Sequence, residues 1–105
     1  MAKQLDRQAE RMKALGHPSR LAVLRLVVRG DQDGTPAGEI QAALKIPAST
    51  LSHHLDTLAS TGLLVPEKEG TFIRYRADFA ELRKLTDYLW EDCCKRGKSI
   101  AKGCC

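Results

Sequence analysis

Leu5, Ala9, Met12 and Leu15 recur at helical spacing, with Lys3, Arg7, Glu10, Arg11 and Lys13 mostly on the other faces, which predicts an amphipathic first helix over residues 3–15. Gly16 stops it. Pro18, whose missing N–H costs nothing in a first turn, opens a second helix that Leu21, Val23, Leu24, Val27 and Val28 make largely buried. The polar run 29–34 is a turn or short loop. Thr35 and Pro36 have the form of an N-cap and first helical residue, and they begin a short third helix to about Leu44 with Ile40, Ala43 and Leu44 inward. Lys45-Ile46-Pro47 makes a tight turn into a fourth helix from about Ala48 to Ser60, which Thr61-Gly62 ends. Residues 63–66 and 71–76 flank Glu67-Lys68-Glu69-Gly70 as a β-hairpin with its tip at Glu69-Gly70. Asp78 with Glu81 resembles a capping box, and the last helix carries Leu82, Leu85 and Leu89.

The predicted order is α-α-α-α-β-β-α, a mainly α chain with a β-hairpin wing: two short helices joined by a tight turn and followed at once by a hairpin make a winged helix-turn-helix. In the fourth helix Leu51, Leu55 and Leu58 fall on one narrow arc, which fixes the buried side. Ser49, Ser52, His53 and Asp56 are left outward or sideways, where short hydroxyl and imidazole groups reach base edges without long flexible arms. The candidate base-reading set is therefore Ser49, Ser52 and His53, with Thr50 beside them. His54 sits on the flank of the leucine stripe and is expected to be packed, and His17 is expected to be a turn residue. This helix has no lysine or arginine, so phosphate attraction falls to Lys45, Lys68, Arg74 and Arg76, with Arg20 a further donor.

The chain has 105 residues, room for one small domain that a partner sharing apolar helices would make safer. Its formal net charge of +4 is too mild to decide between a DNA-binding and a merely basic protein. No apolar run reaches the roughly 20 residues of a membrane helix, and the N-terminus lacks the hydrophobic core of a signal peptide, so a cytoplasmic location is expected. All four cysteines, Cys93, Cys94, Cys104 and Cys105, crowd into residues 93–105. In a reducing compartment they are more naturally thiolate ligands or redox sensors than structural disulfides.

Leu15-Gly16-His17-Pro18-Ser19-Arg20-Leu21, Ser49-Thr50-Leu51-Ser52-His53-His54-Leu55, Gly62-Leu63-Leu64 and Arg74-Tyr75-Arg76 together resemble the arsenic-repressor (ArsR/SmtB) family of bacterial metal sensors. The resemblance covers nearly the whole chain. It implies a homodimer built through the first and last helices, with one recognition helix per subunit in successive major grooves of a palindromic double-stranded operator. The family's C-V-C arsenic site falls here near Pro36 to Gly38 and is absent. Its last-helix zinc site needs histidines, and residues 78–92 contain none.

The cysteine cluster resembles a branch of the family that places three arsenite-binding cysteines, including a vicinal pair, at the end of the last helix. Residues 1–92 are thus expected to form the DNA-binding and dimerisation domain and residues 93–105 an inducer-binding tail. Trivalent arsenic is soft and prefers three thiolates in a pyramid. Cys93, Cys94 and one of Cys104 or Cys105 can supply them, and Lys95, Arg96 and Lys98 favour the thiolate form. Antimonite or methylarsenite would suit the same site. Cys93 continues the Leu82-Leu85-Leu89 stripe, which places the pair near the expected dimer seam. The alternatives are a redox or persulfide sensor, a zinc or cadmium sensor of the same fold, a metalloid buffer, and a thiol oxidoreductase. The last has neither a histidine base near the thiols in sequence nor a C-x-x-C in a βαβ setting, so no enzyme is expected.

Overall fold

Five helices and three short strands make up the computed structural model, which describes residues 2–95. In chain order they are α1 (Ala2–Leu15), α2 (Pro18–Arg29), β1 (Thr35–Pro36), α3 (Ala37–Leu44), α4 (Ala48–Ser60), β2 (Leu64–Glu69), β3 (Phe72–Ala77) and α5 (Phe79–Trp90). Val23, Leu24 and Val27 of α2, Ile40 of α3, and Leu51, Leu55 and Leu58 of α4 meet Leu64, Tyr75 and Ala77 at the base of the wing in one buried cluster. The winged helix-turn-helix expected from the pattern is therefore the observed fold.

His17 caps α2, its Nδ1 accepting from the Ser19 N–H at 3.1 Å, with Pro18 in the first turn. Lys45 closes α3 in the left-handed region at φ 53 and bends the chain toward α4. Gly62, at φ +82, ends the turn after α4 in a conformation that L side chains rarely adopt.

The structure corrects the sequence expectations in four places. Thr35 is not the N-cap of α3 and Pro36 is not its first helical residue: Pro36 takes the N-cap place, with no side-chain cap bond, and Ala37 begins the helix. Thr35 and Pro36 form an edge strand on the wing, pairing antiparallel with β3 as Thr35↔Tyr75 and Pro36↔Arg74 in a sheet ordered β1-β3-β2. An N-cap and a strand residue share extended dihedrals, and the residue before a proline is driven to them, so local geometry satisfied both readings and the adjacent edge of β3 decided. The hairpin tip is Gly70-Thr71, one residue further on, because Glu69 still pairs with Phe72 and Gly70 takes the positive φ of +62 that a two-residue turn requires.

The capping box is half made: Asp78 Oδ1 accepts from the Glu81 N–H at 3.1 Å, but the Glu81 carboxylate turns to Arg11 instead of reaching back. The last helix stops at Trp90, so Cys93 does not continue its stripe.

The first helix packs on the body through a partly polar face. Gln8, Arg11 and Ala14 are buried against the body, whereas Leu5 and Met12 are 55% and 47% exposed. On α5, Leu85 is buried while Leu89 and Trp90 are 55% and 61% exposed. Leu5 and Met12 of α1 and Leu89 and Trp90 of α5 thus point away from the core, while Leu15 and Leu82 pack against it. Among the described residues no helix is long and apolar enough to cross a membrane.

Candidate nucleic-acid interface

The leucine arc of α4 seats that helix against the core, and its opposite side follows from the seating. Leu51, Leu55 and Leu58 are buried, and Ser49, Thr50, Ser52, His53 and Asp56 are all exposed. Four candidate readers on consecutive turns of one helix therefore face solvent together, with Lys45 exposed at the preceding turn. The arrangement suits entry into a major groove, where short polar side chains meet base edges.

His54 behaves as expected of a packed residue, being 5% exposed with its ring centroid 4.8 Å from that of His17. Its Nδ1 has no hydrogen-bond partner. Burial, then the charges of His17, Arg20 and His53, hold its pKa below the ordinary imidazole value. In the unfolded chain that group titrates near about 6.5, so the unfolded state takes up the proton first and stability falls as pH drops below that value. Chemical denaturation between pH 7 and pH 5 should show a loss of stability on acidification that is smaller in His54→Leu. An unchanged slope in the variant would remove His54 as the cause.

The wing carries the arginines. Arg74 and Arg76 alternate along β3 and so share a face of the hairpin, and they are joined there by the glutamates opposite. Arg74 Nε donates to Glu69 Oε2 at 3.0 Å, and Arg76 Nε donates to Glu67 Oε1. Lys68 is paired with Ile73 in the register and belongs to the other face, so the structure separates it from the two arginines. Exposed ion pairs of this kind contribute only about 0–1 kcal/mol, and a phosphate can replace the carboxylate at small cost. Gly34 helps place both arginines: at φ +102, a Cβ there would lie 3.1 Å from Arg74 Cβ and 3.1 Å from Arg76 Cγ. Arg20 is partly committed elsewhere, its Nε donating to the Ala14 carbonyl at 2.6 Å and tying α2 to the end of α1.

At the other end of the chain Cys93 and Cys94 lie in turns beyond α5, Cys93 half-buried and Cys94 exposed with φ 62. The Cys93 N–H donates to the Trp90 carbonyl at 3.0 Å, so the pair starts within one turn of the helix end. Lys95 stands beside them in a 3.6 Å ion pair with Asp92. Cys104 and Cys105 lie outside the described residues.

Residues 15–67 match the family model described as a helix-turn-helix domain. An HTH-type transcriptional regulator of Methanocaldococcus jannaschii is 37% identical over 87 residues, which are 80% of this chain and 96% of that protein. An ArsR-like transcriptional regulator from a Rhodococcus species superposes with a TM-score of 0.74 at 29% identity, over 83% of this chain and 79% of that one. The homodimeric winged helix-turn-helix DNA-binding domain of a possible ArsR-family regulator of Mycobacterium bovis gives 0.69 at 32% identity, over 87% and 84%. With α4, the wing and these relatives in agreement, the chain belongs to the ArsR family of DNA-binding winged helix-turn-helix transcriptional regulators.

Proposed function

We propose that the protein works as a homodimer that holds an operator through α4 and the wing and releases it when a trivalent metalloid, arsenite by preference, is captured by cysteines beyond α5. The observation that carries this reading is the vicinal pair Cys93-Cys94 placed within one turn of the end of α5, a helix whose exposed apolar residues suit a dimer seam. Pairing is further supported by the outward Leu5 and Met12 of α1 and by the homodimeric state of the Mycobacterium bovis domain. Residues 1–92 would then carry DNA binding and pairing, and residues 93–105 the inducer site.

The donor set fits a soft three-coordinate ion in part. Among the described residues no group of three histidine, cysteine, aspartate or glutamate side chains could hold a metal. Once reduced, Cys93 and Cys94 would offer two thiolates, and the third would fall to Cys104 or Cys105. A third ligand from beyond residue 95 makes binding a tether on the end of α5, which would alter how the two reading helices are set apart. Coupling of the usual ~1–3 kcal/mol weakens operator binding roughly 5- to 150-fold.

Fluorescence anisotropy on a duplex recovered by selection from a random library, titrated with arsenite under reductant, tests this. Wild type should be released by that factor, and Cys93→Ser and Cys94→Ser should each abolish the response. Release that persists unchanged in both variants removes the assignment. One observation favours a second reading, release on thiol oxidation: Cys93 and Cys94 are both disulfide-bonded in the structure. An oxidant arm without arsenite, using diamide, separates the two.

A further inference from the structure

Arg11 is an arginine on a helix otherwise read as amphipathic, yet its side chain is only 4% exposed. Its guanidinium meets three elements at once. Nε donates to the Thr61 carbonyl at the C-terminal end of α4 (2.9 Å), and Nη2 donates to Glu81 Oε1 in the first turn of α5 (2.7 Å). Nη1 makes longer contacts of 3.4 Å to Gln8 Oε1 on α1 itself and to the Glu81 carbonyl.

The surrounding residues keep this junction tight. Lys84 donates to the other Glu81 oxygen at 3.0 Å, and the Asp78 N–H donates to the Leu63 carbonyl at 2.9 Å, binding the start of α5 to the segment that leaves α4. A Cβ at Gly62 would come within 3.2 Å of Arg11 Nη2. The Arg11 and Lys84 hydrogen bonds hold the Glu81 carboxyl down to about 2, so the pair stays ionised through the physiological range.

We propose that Arg11 is the positioning residue that ties the placement of the reading helix α4 to that of the terminal helices α1 and α5. A partly buried ion pair of this kind adds little net stability over apolar residues of similar volume. What the planar fork does add is direction, since its donors point along fixed lines and a lysine cannot serve a carbonyl and a carboxylate on two different elements in the same way. The role presupposes the paired reading above: α1 and α5 set one protomer against the other, and Arg11 passes that setting to α4. The distance between two reading helices then depends on this guanidinium.

The test compares affinities for two duplexes, the selected two-half-site sequence and the same sequence with one half-site scrambled. The proteins are wild type, Arg11→Lys, Glu81→Gln and the Arg11→Met/Glu81→Leu double variant, which removes the buried guanidinium together with its partly exposed partner and so leaves no unpaired buried charge. Circular dichroism reports the folded state. Wild type should prefer the two-half-site duplex at least tenfold. The double variant should lose most of that preference while keeping its affinity for the single site, and Arg11→Lys should not restore it.

A merely structural role would lower both affinities alike and leave their ratio in place. A folded double variant with the wild-type ratio overturns the role of Arg11 alone. A wild type that does not distinguish the duplexes overturns the paired reading, and the role of Arg11 with it.

Discussion

Truncating Leu58 to alanine should lower the unfolding free energy by about 2–5 kcal/mol. The side chain is fully buried in the cluster where α4 meets α2 and the base of the wing. Removing it takes away both its transfer free energy and its packing, because a close-packed interior relaxes only partly around the cavity. In a domain of this size each kcal/mol moves Tm by roughly 4–8 °C, so a thermal melt should shift down by at least about 8 °C.

Ser52→Ala, on the exposed side of the same helix, supplies the contrast. Its stability should stay within about 0.5 kcal/mol of wild type, while operator affinity falls by about 1–3 kcal/mol where the hydroxyl reads a base. Equal Tm shifts in the two variants would contradict the seating of α4 on its leucine arc.

Arg74→Ala with Arg76→Ala should have the larger effect on DNA binding. Every phosphate that is no longer neutralised reduces the slope of log affinity against log salt by about 0.9, so the double variant should give up about 2 per protomer. Anisotropy titrations between 50 and 200 mM salt measure this directly. The pairing of both arginines with Glu67 and Glu69 makes a second arm informative. Glu67→Gln with Glu69→Gln frees the guanidinium groups from competing carboxylates and should tighten binding to unrelated DNA without lowering the slope. Should the arginine variant keep the wild-type slope, the wing does not touch the backbone.

The fold was legible because its strongest signals are local. Leu51, Leu55 and Leu58 at helical spacing, Pro18 in a first turn, and Gly62 after α4 each carry their own steric or apolar reason, and each stands where it was expected. What escaped was decided by partners distant in sequence. Thr35 suits a cap and a strand equally, and only the edge of β3, some forty residues on, chooses between them. Arg11 looked like a surface residue because nothing near it in sequence announces Glu81 or the Thr61 carbonyl.

The face on which α1 packs was legible only in part for the same reason. Its apolar stripe was visible, but whether that stripe serves the chain's own core or another surface depends on what Gln8 and Arg11 find to bind. At the interface, exposure of Ser49, Ser52 and His53 followed from the stripe alone, whereas the glutamate pairing of Arg74 and Arg76 needed the strand register.

The wing is a three-stranded sheet in which β3 lies between two edge strands, and each edge carries a proline: Pro36 in β1 and Pro66 in β2, followed by Glu67, Lys68 and Glu69. Proline offers no N–H to an incoming strand, and alternating charges resist a flat neighbour. The hairpin can therefore project from the body at high concentration without recruiting the wing of another molecule, which keeps this part of the surface out of self-association and available to a polyanion.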